Sequence, residues 1–252
     1  AGERLVFAPG QDANANIRII GPSGGTLRGP DYPQTLDPFV LPETGEYLIS
    51  VEGYPYEDRP VRYSLLAVPL VQSDLSLTVG ERVDGTLDAV GAAHAYAFTL
   101  TAETRLLFDA LTANRSDIHW SLTGPRGTEV SSRNFDASDG YNLGGNALMT
   151  LPPGNYTLII DGEGTANGAY AFRLFDLAAA LPITYDDPVT VTLNPASATV
   201  ALRLFGTGGE RLVLPDIPFS ASGRVFDPFG REIVGPYRFY GGSTVVLQAT
   251  GS

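Results

Sequence analysis

The residues in this chain best suited to chemistry are oxygen donors. The run Asn134, Phe135, Asp136, Ala137, Ser138, Asp139, Gly140 gathers two carboxylates, a hydroxyl and an amide beside a glycine that permits a tight turn. Such a set suits a hard divalent cation, so Asp136, Ser138 and Asp139 are the candidate metal ligands and Ca²⁺ is the expected ion. The spacing is not that of an EF-hand, whose distal Glu is missing. A second candidate site is aromatic. Tyr54 and Tyr56, with Glu57 and Asp58 beside them, sit in one turn and offer flat faces on which a pyranose ring can stack. Tyr237, Phe239 and Tyr240 form a similar group later in the chain.

Catalytic chemistry finds less support. Only His94 and His119 supply imidazoles, and neither recurs at the matching positions of the repeats described below, which hold Val200 for the first and Asn16 and Ser222 for the second. The chain has no Gly-x-Ser-x-Gly elbow, no His-Glu-x-x-His pair and no glycine-rich phosphate loop opening a helix. Acidic pairs are plentiful among 28 Asp and Glu residues, but spacing does not single out two as a glycosidase pair. Asp161 with Glu163, and Asp186 with Asp187, read as turn acids that cap backbone N–H groups. No enzyme is expected.

Composition narrows the partners. The formal charge of −12 opposes binding to nucleic acid or to an anionic membrane. All 16 basic residues are Arg, so no Lys Schiff base or P-loop lysine is possible. Without Cys there is no disulfide framework and no thiolate metal site. No apolar run is long enough to cross a bilayer as a helix, so no membrane insertion is expected.

The elements that must carry these residues are strands. With 29 Gly and 19 Pro falling between short alternating runs, the chain reads as turn-rich and all-β. The spacing predicts strands at 75–79, 85–87, 93–100, 104–109, 118–123, 128–131, 147–151, 156–161 and 169–174. Ile118, Trp120 and Leu122 share one parity and are expected in the core, as are Tyr96 and Phe98.

These strands recur. AGERLVF at 1–7 matches AETRLLF at 102–108 and GGERLVL at 208–214; IRIIGP at 17–22 matches WSLTGP at 120–125 and GRVFDP at 223–228. Gly45, Tyr47 and Tyr63 repeat as Gly154, Tyr156 and Tyr170. The predicted organisation is therefore three β-sandwich repeats: 1–72 lacking its first strands, 73–180 complete, and 181–252 lacking its closing hairpin. The chain is expected to be a window of a longer tandem array. The joins at 68–74 and 178–182 are short and contain Pro, which predicts end-to-end packing of neighbouring repeats.

A Gly-x-Leu strand, a Tyr-x-Phe pair at Tyr96 and Phe98, an apolar strand ending in Gly124-Pro125-x-Gly127, and a Pro-x-Gly-x-Tyr hairpin resemble the bacterial pre-peptidase C-terminal domain. The resemblance implies a jelly-roll-like antiparallel β-sandwich in a secreted or cell-surface bacterial protein. It implies a binding or spacer role for the repeats, beside catalytic domains or in large surface proteins. Some relatives hold Ca²⁺ through an Asp just before the Tyr-x-Phe strand; here that stretch holds Ala92, Ala93, His94 and Ala95, and in the third repeat Ser197, Ala198, Thr199 and Val200, without an Asp. The expected function is a non-catalytic structural, spacer or adhesive segment whose partners are neighbouring repeats and an extracellular glycan or protein. The alternative is an ancillary substrate- or carbohydrate-binding domain of an exported hydrolase.

Overall fold

The computed structural model describes residues 4–9, 15–31, 36–56, 58–60, 62–139, 146–185, 187–214, 221–237, 243–247 and 251. Its described elements are strands and two short 3-10 turns. Strands β1 (Arg4–Pro9), β2 (Ala15–Ile20), β3 (Thr26–Asp31), β4 (Leu36–Val40), β5 (Leu48–Gly53) and β6 (Leu65–Pro69) come first. Next are β7 (Val71–Ser76), β8 (Arg82–Leu87), β9 (Ala92–Leu100), β10 (Thr104–Ala110), β11 (Ile118–Gly124), β12 (Gly127–Asn134), β13 (Met149–Leu151), β14 (Gly154–Gly162) and β15 (Gly168–Asp176). The last are β16 (Leu181–Ile183), β17 (Leu202–Leu204), β18 (Arg211–Leu214), β19 (Gly223–Phe226), β20 (Glu232–Tyr237) and β21 (Ser243–Val246).

One pairing scheme is used repeatedly. β10 lies between β13 and β15 as β1 lies between β4 and β6, and β11 lies between β12 and β14 as β2 lies between β3 and β5. β18 pairs with β21 and β19 with β20, the counterparts of β10 with β13 and of β11 with β12. The opening pair recurs as well. Val71 N–H donates to Gly91 C=O and Leu77 N–H to Ala97 C=O, a constant offset (91 − 71 = 97 − 77 = 20) that marks β7 and β9 as parallel. β16 and β17 are parallel in the same way, Leu181 facing Leu202.

The fold is an all-β sandwich, and residues 75–180 hold its largest core. A four-stranded sheet, β13-β10-β15-β8, faces a five-stranded sheet, β12-β11-β14-β9-β7. Aromatic side chains fill the space between them. Phe108 of one sheet stacks on Trp120 of the other with ring centroids 4.2 Å apart, and Tyr96 meets Phe172 edge-on at 5.4 Å. The alternation anticipated this: Ile118, Trp120 and Leu122 are fully buried, and Tyr96 and Phe98 nearly so. The smaller core of the first strands centres on Ile17 and Ile19, with Leu5, Leu27, Tyr47, Ile49, Val51 and Leu65 packed around them.

Local chemistry explains why the hairpins close alike. Tyr156 Oη donates to the carbonyl of Pro152 at 2.6 Å, and Tyr47 Oη to that of Glu43, each four residues back. Such a bond ties an aromatic anchor to the corner that precedes it. The glycine two residues before each of these Tyr residues is forced by close approach. A Cβ on Gly154 would lie 2.2 Å from the Pro125 ring, and one on Gly45 2.7 Å from Pro22.

By packing, the chain divides into two compact units. One comprises Ala1–Asp74, Thr86–Ala95 and Ile160–Gly168; the other comprises Leu75–Gly85, Tyr96–Ile159 and Ala169–Ser252. Among the described residues no helix is long and apolar enough to cross a membrane.

Candidate functional site

The oxygen-rich run after β12 is a locked corner. Asn134 Oδ1 accepts from Ala137 N–H at 2.8 Å and caps the 3-10 turn Phe135–Ala137. Ser138 is fully buried; its hydroxyl accepts from the Trp120 indole N–H and donates to the Asn134 carbonyl, both at 2.6 Å. Asp136 Oδ1 accepts from Arg115 N–H at 2.8 Å. Asp139 Oδ2 accepts from Ala110 N–H at 3.1 Å and from the Thr199 hydroxyl at 3.0 Å.

The three candidate ligands thus share no partner. Among the described residues no three His, Asp or Glu side chains are grouped as a metal ion would need. A cation held by Asp136, Ser138 and Asp139 together would compete with these bonds. A thermal melt with and without millimolar Ca²⁺ reads whether it does. Gly140 lies outside the described residues.

What Asp139 does join is a cluster that sequence spacing could not assemble. Asp109, wholly buried on β10, accepts from Thr199 N–H at 2.9 Å and from Arg173 Nε at 3.1 Å, and forms a close ion pair with the same guanidinium. Arg173 also donates to the Thr199 carbonyl at 3.1 Å. Thr199 is therefore gripped through its amide, carbonyl and hydroxyl at once. Asp109 and Asp139 thus meet on one residue, Thr199.

Burial raises both carboxyls, while Arg173 and the Thr199 amide pull Asp109 back toward its charged form. Asp139 is pushed up to about 7, by burial first and by the Asp109 charge second.

Apolar contacts extend this cluster into a joint with residues 226–230. Phe226 packs on the group formed by Leu107, Ala147 and Leu148, beside Phe175 and Leu177. Arg105 donates to the Pro228 carbonyl at 2.6 Å, and Asn146 Nδ2 to that of Gly230 at 2.8 Å. Asp227 shapes the turn that presents those carbonyls, accepting from Phe229 N–H and Arg231 N–H, each at 2.9 Å. As a result β10 is buried on both faces: Leu106, Phe108 and Ala110 look into the sandwich, and Leu107 and Asp109 into the joint.

One signal of this existed in the sequence. Leu106, Leu107 and Phe108 break strict alternation, as expected of a strand covered on both sides. Asp109, Arg173 and Thr199 are separated by 64 and 26 residues, so no spacing motif links them.

Tyr54 and Tyr56 do form a pair, with rings stacked 5.2 Å apart and 7° from parallel, and Tyr56 is 77% exposed. Glu57 lies outside the described residues, as do Phe239, Tyr240 and the side chain of Tyr237. The two histidines are strand residues. His119 contacts the Ser116 carbonyl and the Ser132 hydroxyl, each at 3.2 Å, and burial lowers the pKa of His94.

No family model and no curated protein matches the chain. Among solved structures, it is similar to the pre-peptidase C-terminal domain of a collagenase from Bacillus anthracis. The identity is 12%, over 41% of this chain and 96% of that one, with a TM-score of 0.32.

Proposed function

We propose that the chain is a non-catalytic segment of a larger secreted or cell-surface bacterial protein. In this reading β-sandwich repeats of the pre-peptidase C-terminal type, at residues 1–72, 73–180 and 181–252, act as a spacer or adhesive stalk. The two-sided burial of β10 supports it. A repeat that swung freely would uncover Leu107 and Asp109, whereas here they are 6% and 0% exposed, with Phe226 packed against the Leu107 group and the Thr199 amide donating to Asp109. Docking of that kind makes the connection between the second and third repeats stiff.

Limited proteolysis with a non-specific protease tests the joint. Residues 184–201 should resist cleavage as long as the 73–180 sandwich stays folded. Rapid native-state cleavage there, leaving an intact 73–180 fragment, would overturn the stiff-joint reading. Peptidase or glycosidase turnover by the chain would overturn the non-catalytic one.

A second reading, an ancillary carbohydrate-binding domain of an exported hydrolase, is favoured by the exposed Tyr54–Tyr56 stack. It predicts that an oligosaccharide panel contains a ligand that perturbs tyrosine fluorescence, and that Tyr56→Ala weakens its binding at least about tenfold, the loss of one aromatic stacking contact. A panel without such a ligand, or one bound equally by the variant, removes this reading.

A further inference from the structure

β7 is a strand that packing does not explain. All six of its side chains, from Val71 to Ser76, are exposed, so it buries no apolar face and contributes to the sandwich through its backbone ladder to β9. We infer that β7 is a tension clamp: it ties the 73–180 repeat to the chain before it in such a direction that a pull along the stalk loads the whole ladder at once. This rests on the stalk reading above and adds what the stalk withstands.

Direction carries the argument. β7 and β9 run parallel, with Val71 N–H on Gly91 C=O at 2.8 Å and Leu77 N–H on Ala97 C=O at 3.0 Å. Beyond Leu77 the chain reaches Gly80, whose N–H donates to Leu174 C=O at 2.8 Å, shortly before β15 ends at Asp176. β7 therefore runs toward the end of the sandwich from which β15 leaves. The preceding chain joins β7 at its other end, about 20 Å back along the strand at 3.3 Å per residue.

A pull between the two connections thus acts along β7. Ladder hydrogen bonds run from strand to strand, so a force along the strand strains all of them together and none is released alone. A first strand antiparallel to β9 would enter beside the exit of β15, and the same pull would open its bonds one after another from that end. β15 is loaded like β7: it is pulled at Asp176, with its ladder to β10 running back from Leu106↔Asp176 to Ala110↔Phe172.

The third repeat opens in the same way. Leu181 N–H donates to Ala201 C=O at 3.0 Å, and β16 runs parallel to β17 from Leu181↔Leu202 to Ile183↔Leu204. Here too the first strand covers little, since Leu181 and Pro182 are exposed.

Single-molecule stretching of the whole chain tests the clamp. The chain has no Cys, so two introduced thiols are the only points of attachment. Gln72→Cys with Ala179→Cys sends the load through β7. Glu81→Cys with Ala179→Cys applies it after β7, at the end where β15 leaves, and pulls the neighbouring β8 and β15 apart from that end. All three positions are exposed. At one constant force the first pair should survive at least about tenfold longer than the second, because forced unfolding reports the barrier set by the loaded bonds. Val71→Pro removes the N–H bonded to Gly91. It should shorten the first lifetime about fivefold, the worth of one hydrogen bond, and leave the second unchanged.

Equal lifetimes through the two attachments overturn the clamp and leave the stalk to its own proteolysis test. A Val71→Pro chain whose first lifetime is unchanged, or whose two lifetimes shorten alike, also overturns it. The comparison of attachments decides even if that variant does not fold. Rapid cleavage of the joint, or enzymatic turnover, would remove the stalk reading without altering either lifetime.

Discussion

Ser138 is tied on both sides by hydrogen bonds. Its hydroxyl stands between the Trp120 indole N–H and the Asn134 carbonyl in a space without solvent, so it links the core aromatic to the corner that follows β12. Ser138→Ala removes one acceptor and one donor and leaves the indole N–H buried without a partner. We expect a loss of about 1–3 kcal/mol in unfolding free energy, together with a shift in Trp120 fluorescence, since this is the single Trp of the chain. A thermal melt followed at the Trp band measures both; an unchanged melt would mean that the hydroxyl contributes nothing.

The oxygens at 134–139 were legible in the sequence as a cluster, but the hydrogen bonds they make were not, because their partners Arg115, Trp120, Ala110 and Thr199 lie far off in the chain.

At the scale of elements, alternation located the strands because one face of each sheet is buried and the other is not. All nine strands predicted between 75 and 174 have counterparts in the structure, with ends displaced by a few residues. Boundaries moved where backbone pairing continued past the apolar run, as in β12, which reaches Asn134 although its alternation fades after Ser131. The repeated hairpin was visible for a firmer reason: close approach leaves little choice of residue. Gly154 has φ +151° and sits against Pro125, so Gly154→Ala combines a strained backbone with a Cβ 2.2 Å from a ring carbon. The expected cost is about 1–3 kcal/mol, as for other overpacked sites. Chemical denaturation would show it as a lower midpoint with little change in slope. Pro125→Ala should recover part of the loss when combined with Gly154→Ala, because it removes the obstructing ring. Strict additivity of the two changes would show that the contact is not the cause.

For the molecule as a whole, the question is whether neighbouring repeats unfold as one. The joint that Thr199 and Phe226 make with the 75–180 sandwich has what coupling needs: Phe226 in an apolar group, two backbone carbonyls taken by Arg105 and Asn146, and Thr199 held by Asp109, Asp139 and Arg173. Apart from the broken alternation at Leu106, Leu107 and Phe108, none of this could be read from the sequence, whose recurring motifs say nothing of the surfaces that meet. A joint residue such as Phe175 looks like an ordinary strand residue until the partner that covers it is known.

Phe226→Ala separates the two possibilities because it takes nothing from the sandwich core around Trp120. If the joint couples the repeats, the wild-type chain loses Trp120 fluorescence and far-ultraviolet β signal of residues 75–252 over one temperature range. The variant should then show an earlier transition in the β signal while the Trp120 transition stays within a few degrees of wild type, as nearest-neighbour coupling between repeats predicts. Were the two signals to move together by the same amount, the repeats would be one cooperative body, and the joint would be part of a single core rather than a contact between modules.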